Sequence, residues 1–173
     1  MFLVFTGNGK GKTTAALGQG LRSIGEGRRV LMVQFIKGPW KSGEDTSYKK
    51  LAPSLKIVKM GLGFVGILGD KLPLSDHQKA AQKALRYAKK EVATGKWQML
   101  IMDEICNALK LKLITLKDAL DLLKYVRPRV EHVIFTGRDA PKKFIQLADL
   151  VTEMKEIKHP YMKGIKAKKG LEY

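Results

Sequence analysis

The sequence predicts an α/β fold in which a parallel sheet of five or six strands is flanked by helices on both faces. Two observations favour this fold. Short apolar runs alternate with longer segments of helical periodicity along the 173 residues. The runs are apolar at consecutive positions, as expected of strands that are covered on both faces. With 45% apolar and 28% charged residues, the composition is that of a globular protein, and we predict one domain over residues 1–173.

The first half of the chain contains three predicted strands and one long helix. Apolar residues recur at helical spacing after the first strand, and glycines then end the helix. Two further apolar runs predict strands, and Gly38-Pro39 ends the first of them. In order, these elements are a strand at Phe2–Phe5, a helix from Lys12 to about Gly25, and strands at Val30–Val33 and Leu55–Met60.

The segment Gly61–Asp70 fits neither a helix nor a strand, because it is apolar but contains four glycines. Two interpretations remain open. The segment is either a lid over a ligand or a hydrophobic loop packed against the core.

The second half of the chain continues the alternation. Ser75, with Gln78 three residues later, is typical of a capping box and predicts a helix to about Thr94. Thr115 is predicted to cap the next helix, which Pro128 stops. The remaining elements are strands at Met99–Met102, Val130–Thr136 and Leu150–Met154, and a short helix with Pro141 in its first turn.

A phosphate-binding loop is predicted between the first strand and the first helix. It reads Gly7-Asn8-Gly9-Lys10-Gly11-Lys12-Thr13-Thr14, and Thr6 stands where such loops usually carry their first glycine. Glycines let the backbone aim several N–H groups at one anion, and the following helix adds the positive end of its dipole. Lys12 is predicted to hold the outer phosphates of a nucleoside triphosphate, and Thr13 to ligate Mg²⁺.

Two carboxylates, Asp103 and Glu104, directly follow an apolar strand. Ligands of a parallel sheet bind beyond the carboxyl ends of its strands. The phosphate loop, Phe35–Gly38, the carboxylates and Thr136–Arg138 are therefore predicted to share one cleft. One carboxylate is predicted to serve Mg²⁺, and the sequence leaves open which one. Arg138 either binds a phosphate with its planar guanidinium or is a surface arginine in a turn.

The net charge of +17 suits a polyanionic ligand such as ATP or a nucleic acid. The lysines are spread along the chain, however, and most are expected to form a solvated surface. Cys106 is the one cysteine, so a disulfide within the chain is excluded. Because no apolar stretch is long enough to cross a membrane and no secretory signal is recognisable, we expect a cytoplasmic protein. Cys106 and the three histidines are expected to be structural.

Seven blocks of sequence together resemble the ATP:corrinoid adenosyltransferases of the phosphate-loop type. A generic phosphate-loop ATPase would share only the first and the third of these blocks. The blocks span nearly the whole chain in order: Thr6–Ala16, Val33–Gly38, Asp103–Ile105, Thr136–Pro141, Ala148–Met154, Lys158–Tyr161, and the tail residues 164–167 with 170–173.

The resemblance implies a RecA-like fold, a homodimer, and transfer of the 5′-deoxyadenosyl group of ATP to the cobalt(I) of a corrinoid with release of triphosphate. It implies that Gly7 to Thr13 bind ATP and that Thr13 and Glu104 lie beside Mg²⁺. It also implies an electron donor, such as a flavoprotein, that reduces cobalt. Cobalt(I) is itself a strong nucleophile, so no protein nucleophile is required.

Phe64 matches an aromatic residue that, in the resembled family, helps to remove the lower axial ligand of the corrinoid. Better-known members read Gly-Phe-x-Trp, whereas this chain carries Gly66 in place of the tryptophan. Trp40 could substitute for it, or the protein could favour a corrinoid without a lower ligand. Two rival functions are a RecA-like ATPase acting on nucleic acid, which the charge favours, and a protein that only sequesters corrinoid or nucleotide.

Overall fold

The computed structural model describes residues 1–38, 41–67 and 69–171. Trp40, Glu172 and Tyr173, which the sequence comparison above drew upon, lie outside the described residues. Within the described part of the chain, six strands form one parallel sheet, in agreement with the predicted five or six. They are β1 (Phe2–Thr6), β2 (Val30–Gln34), β3 (Leu55–Lys59), β4 (Met99–Asp103), β5 (His132–Thr136) and β6 (Leu150–Glu153).

The same part of the chain contains six α-helices and two short 3₁₀ turns, one at Tyr48–Leu51 and one after the last strand at Pro160–Lys163. The predicted long helices are all present, and their observed bounds lie within about two residues of the predicted ones. The helices are α1 (Lys12–Gly25), α2 (Glu44–Ser47), α3 (Leu74–Val92), α4 (Ile105–Lys110), α5 (Leu116–Val126) and α6 (Lys142–Leu147).

The sheet separates two apolar layers, as expected from strands whose successive side chains point to opposite faces. On one face, α3, α4, α5 and α6 pack against alternate residues of β1, β2, β4 and β5, and Phe2, Phe135 and Phe144 meet edge to face. On the other face, α1 and the first 3₁₀ turn cover the remaining residues, with Ala16 fully buried. Both faces of the central strands are therefore covered, which explains their consecutive apolar residues.

The strand order β3-β2-β4-β5-β1-β6 determines which strand ends become neighbours. Gln34 at the end of β2 is in register with Asp103 at the end of β4. Thr136 at the end of β5 is in register with Phe5, next to the phosphate loop. The chain thus brings four central strands together so that their carboxyl ends form one edge beneath the predicted cleft.

The capping box predicted at Ser75 is wrong. Helix α3 begins at Leu74, Pro73 is its N-cap, and no side chain caps it. Ser75 is the second residue of the helix, so it does not occupy the N-cap position from which a side chain caps the first amides. The cap predicted at Thr115 is confirmed: Thr115 Oγ1 accepts a hydrogen bond from Asp118 N, and the Asp118 carboxylate accepts one from Thr115 N.

Replacing these two residues with alanine should therefore have different effects on stability. Thr115→Ala removes the hydrogen bond that Thr115 Oγ1 accepts from Asp118 N and should lower the free energy of unfolding by about 1 kcal/mol. Ser75→Ala changes an exposed helical residue and should stay within about 0.5 kcal/mol of the wild type. Urea unfolding of both variants measures the difference, and equal losses would contradict the assignment of the two helix starts.

Candidate active site

The phosphate loop closes around the amino group of Lys12. Gly11 is the N-cap of α1 with φ of 108°, and no side chain caps the helix, so its first amides are available to an anion. Lys12 Nζ donates to the carbonyl oxygens of Gly7 (2.7 Å) and Gly9 (2.6 Å). Burial, and next the nearby Arg138, lower the pKa of Lys12. A cation held in this way is poised to exchange backbone carbonyls for phosphate oxygens.

The end of β6 holds the loop in place. Gly9 N donates to Met154 O (2.7 Å), and Met154 N donates to Thr6 O (2.8 Å). The packing is tight enough that a Cβ on Gly7 would lie 2.4 Å from Met154 O, and one on Gly9 would lie 2.7 Å from the Lys155 backbone. The sequence analysis missed this role of Met154 and Lys155, because the contacts are made by backbone atoms and depend on the position of β6 beside β1.

Gly7→Ala should disturb the loop strongly. Gly7 has φ of +97°, which alone costs a non-glycine residue about 1–2 kcal/mol, and the new methyl group would also push against Met154. We expect a lower melting temperature and weaker ATP binding by calorimetry. Gly18→Ala in α1 is the matched control, since nothing lies within 4 Å of its Cβ, and it should stabilise the helix by up to about 1 kcal/mol. Equal melting temperatures of the two variants would contradict the packing described here.

Asp103 is fully buried at the end of β4 and receives three hydrogen bonds. Its Oδ1 accepts from Thr13 Oγ1 (2.9 Å) and Thr136 Oγ1 (2.7 Å), and its Oδ2 accepts from Gln34 Nε2 (3.0 Å). Burial raises the pKa of Asp103, and these three donors act against that rise. The carboxylate therefore joins α1 to three strands of the sheet. Of its partners, Thr136 was predicted to lie in the cleft, whereas Gln34 was part of the resemblance block Val33–Gly38 and had no predicted role in the site.

Glu104 has a different environment. Its backbone is left-handed (φ 63°), and Glu104 N donates to Thr136 Oγ1 (2.8 Å). Burial, together with the charge of Asp103, raises the pKa of Glu104 to about 7, against the influence of Lys37, Lys12 and Arg138. Within the described residues, no hydrogen bond reaches the Glu104 carboxylate, whereas the Asp103 carboxylate accepts three. Glu104 is thus the carboxylate better able to accept a new cationic partner.

The oxygen atoms around Thr13 are of the kind that Mg²⁺ prefers as ligands. No group of three or more His, Cys, Asp or Glu that could hold a metal occurs in the described part of the chain. Mg²⁺ does not need such a cage, because it is usually bound by one or two carboxylates together with substrate phosphates and water. The Thr13 hydroxyl, Asp103 and Glu104 supply hard oxygen atoms beside the phosphate loop. The structure therefore brings the three residues predicted as metal ligands together, and their role remains a prediction.

Arg138 lies at the edge of the same cleft. Its backbone N donates to Asn107 Oδ1 (2.7 Å), which fixes the turn after β5, and its side chain is exposed. It is close enough to affect the pKa of both Lys12 and Glu104. Phosphate binding by Arg138 therefore stays a prediction that its position supports.

The remaining loop residues are more peripheral. Asn8, Lys10 and Thr14 are exposed, and Lys10 Nζ donates to Leu171 O (2.5 Å) in the C-terminal segment. A role of Asn8, Lys10 and Thr14 in nucleotide binding stays a prediction.

The glycine-rich segment packs beside the strand ends of the cleft. A Cβ on Gly61 would lie 2.2 Å from Phe35 O, and one on Gly38 would lie 2.6 Å from Gly63 Cα. Beyond this contact the segment turns outward, and Phe64 and Ile67 are 42% and 59% exposed. The start of the segment is therefore packed against the core, as the second interpretation predicts, and a lid function of its exposed middle stays a prediction.

Cys106 and His77 are structural, as expected. Cys106 is fully buried, and burial raises the pKa of its thiol to about 12, so it is not a nucleophile at neutral pH. His77 is buried and bonds to Asp70 (Nε2 to Oδ2, 3.0 Å), which also accepts from the backbone of Gly66 and Leu72. This cluster anchors the far end of the glycine-rich segment.

Comparison with known proteins identifies the family. A family model described as ATP:corrinoid adenosyltransferase BtuR/CobO/CobP matches residues 1–173. The corrinoid adenosyltransferase of a Sinorhizobium species is 37% identical over 174 residues, covering 100% of this chain and 80% of the relative. That of Escherichia coli K12 is 33% identical over 173 residues, covering 100% and 85%. The chain belongs to the ATP:corrinoid adenosyltransferase family.

Membership of this family confirms the resemblance inferred from the seven sequence blocks. It identifies the protein as a transferase and supports corrinoid adenosyl transfer over the alternative of an ATPase that acts on nucleic acid. ATP and a corrinoid are the substrates that fit this adenosyltransferase family.

A solved structure supports the fold. The flagellar accessory protein FlaH from Methanocaldococcus jannaschii matches with a TM-score of 0.57, covering 88% of this chain and 69% of that chain at 10% identity. The likeness concerns the fold alone, and the predicted RecA-like α/β fold is confirmed. Among the helices that the structure describes, none combines the length and the apolar character needed to cross a membrane.

Proposed function

We propose that the protein transfers the 5′-deoxyadenosyl group of ATP to the cobalt(I) of cobalamin or a precursor corrinoid. The electron pair of cobalt attacks C5′ and forms the cobalt–carbon bond. The C5′–O bond breaks, and its electron pair leaves with triphosphate. The observation that carries this proposal is the phosphate loop around Lys12, whose amino group lies where a triphosphate would bind. Beside it, the Thr13 hydroxyl donates to Asp103 (2.9 Å), where we propose that the metal binds. The proposed reaction requires no protein nucleophile.

The phosphate loop would act on the leaving group. Lys12 and the amides of the loop bind the triphosphate, except for the Gly9 amide, which donates to Met154 O, and Arg138 adds a second cation. Thr13 and Glu104, with Asp103 behind Thr13, would hold Mg²⁺, and the bound ion would supply positive charge beside the leaving triphosphate. The protein's remaining task is to keep the ribose C5′ in line with cobalt.

The exposed part of the glycine-rich segment would receive the corrinoid. Phe64 follows Gly63, which packs on Gly38 at the end of the loop after β2, so the segment is anchored beside the cleft. We assign Phe64 to the displacement of the lower axial ligand. Gly66 is exposed with φ of 69°, a backbone that a tryptophan would adopt only with strain. The loop geometry at this position is therefore suited to glycine, which favours a corrinoid without a lower ligand.

Several further features belong to this proposal. We expect residues 1–173 to act as one nucleotide-binding domain in a homodimer, and an electron donor such as a flavoprotein to supply reduced cobalt. We expect the reaction to take place in the cytoplasm, since a reducing compartment suits both cobalt(I) and the thiol of Cys106.

The test is a direct assay. The protein is incubated anaerobically with MgATP and chemically reduced cob(I)alamin or cob(I)inamide, which lacks the lower ligand. We expect a light-sensitive adenosylated product and one triphosphate per product. Binding of both substrates without product would identify a sequestering protein. ATP hydrolysis stimulated by DNA or RNA, with no product from either corrinoid, would support the nucleic-acid ATPase and overturn the proposal.

A further inference from the structure

Gln34 stands out among the buried residues of the cleft. It is the last residue of β2, is 0% exposed, and lies in register with Asp103. Gln34 Nε2 donates to Asp103 Oδ2 (3.0 Å), while Gln34 Oε1 is buried without a hydrogen-bond partner in the described part of the chain. A buried amide oxygen without a partner costs free energy, so its presence at this position needs an explanation.

The amide completes the restraint on the Asp103 carboxylate. Thr13 from α1 and Thr136 from β5 both donate to Oδ1, and neither holds Oδ2. Gln34 approaches from the opposite side, because β2 and β5 flank β4. Donors on both oxygens from both neighbouring strands prevent the carboxylate from rotating about its terminal bond. Thr13 Oγ1 is thereby held in one position at the start of α1.

We propose that Gln34 is a positioning residue for the metal–nucleotide site. Its Nε2 orients Asp103, which in turn orients the Thr13 hydroxyl, and its Oε1 takes a hydrogen bond when the metal–nucleotide complex occupies the cleft. This inference rests on the proposed function, because it assumes that ATP binds here with a divalent cation. A neutral amide performs this task without adding a negative charge next to Asp103 and Glu104.

A purely structural role makes a different prediction. If Gln34 only fills the core, its replacement will lower stability and leave the contribution of the metal to nucleotide binding unchanged. If Gln34 positions Asp103, the loss will appear mainly in metal affinity. Residues that orient metal ligands typically change metal affinity by about 10- to 100-fold when they are replaced.

The experiment uses Gln34→Met, which keeps the length of the side chain but removes its donor and acceptor. Mn²⁺ binding in the presence of ATP is followed by electron paramagnetic resonance, ATP binding in EDTA by calorimetry, and stability by thermal melting. We expect Mn²⁺ affinity to fall at least about 10-fold and ATP affinity in EDTA to change less than about twofold. A second variant, Gln34→Asn, keeps the proposal testable if Gln34→Met does not fold. Its side chain is too short to reach Asp103, so we expect the same changes in Mn²⁺ and ATP affinity.

The matched control is Ser23→Ala. Ser23 Oγ is also buried without a partner in the described residues, but it lies about 15 Å along α1 from Thr13. This variant should bind Mn²⁺ and ATP as the wild type does. Wild-type Mn²⁺ affinity in either folded Gln34 variant would overturn the inference alone. A wild-type protein that binds no Mn²⁺ with ATP would overturn the proposed metal site, and the inference with it.

Discussion

Lys12→Ala will lower the rate of adenosyl transfer by about 100- to 1,000-fold, the usual loss when one preorganised group that stabilises developing charge is removed. The Lys12 amino group lies inside the phosphate loop, where it donates to Gly7 O and Gly9 O. Its departure leaves these carbonyl oxygens facing the triphosphate with no cation between them. The cost should appear in the chemical step, because negative charge accumulates on the leaving group as the C5′–O bond breaks.

The measurement is the initial rate of light-sensitive product formation with saturating MgATP and reduced corrinoid. Lys79→Ala is the matched control: it removes the same charge from an exposed residue of α3, where Lys79 pairs with Asp76. This control should retain the wild-type rate. A Lys12→Ala rate within tenfold of the wild type would show that the loop amides and the metal suffice, and would contradict the role given to Lys12.

Glu104→Gln should stabilise the ligand-free protein at alkaline pH. Burial and the charge of Asp103 raise the pKa of Glu104 from its usual 4.5 to about 7 in the folded state. A raised carboxyl pKa means that the fold disfavours the ionised form. Wild-type stability should therefore fall as the pH rises from 4.5 to 7, by up to about 3 kcal/mol. The Glu104→Gln variant should not lose this stability, because glutamine stays neutral as the pH rises.

Urea unfolding in EDTA across pH 4 to 9 tests the prediction. The variant should be more stable than the wild type above pH 7, and the two proteins should converge near pH 4.5. Glu26→Gln, which alters an exposed residue at the end of α1, should show no such pH-dependent difference. The same Glu104→Gln protein should bind Mn²⁺ with ATP less well, because the substitution removes a carboxylate that we propose as a metal ligand. An advantage that does not change with pH would rule out titration of Glu104 as its source.

The sequence by itself determined the features that depend on local order. Strand, glycine-rich turn and helix follow one another within residues 2–25, so the phosphate loop could be recognised from its spacing. Consecutive apolar residues predicted strands with two covered faces, and the Thr115 cap was visible because its partner Asp118 lies three residues away. The family was recognisable because its blocks recur in order along the chain.

The tertiary structure decided what distant segments do to one another. The different environments of Asp103 and Glu104, the support of Gly9 by Met154, and the bond from Gln34 to Asp103 all arise from the strand order. Ser75 shows the same limit on a smaller scale, since a matching pattern did not reveal that the N-cap of α3 is Pro73, two residues earlier. Local patterns describe neighbours along the chain, whereas burial and pKa depend on neighbours in space, and only the folded sheet brings those residues together.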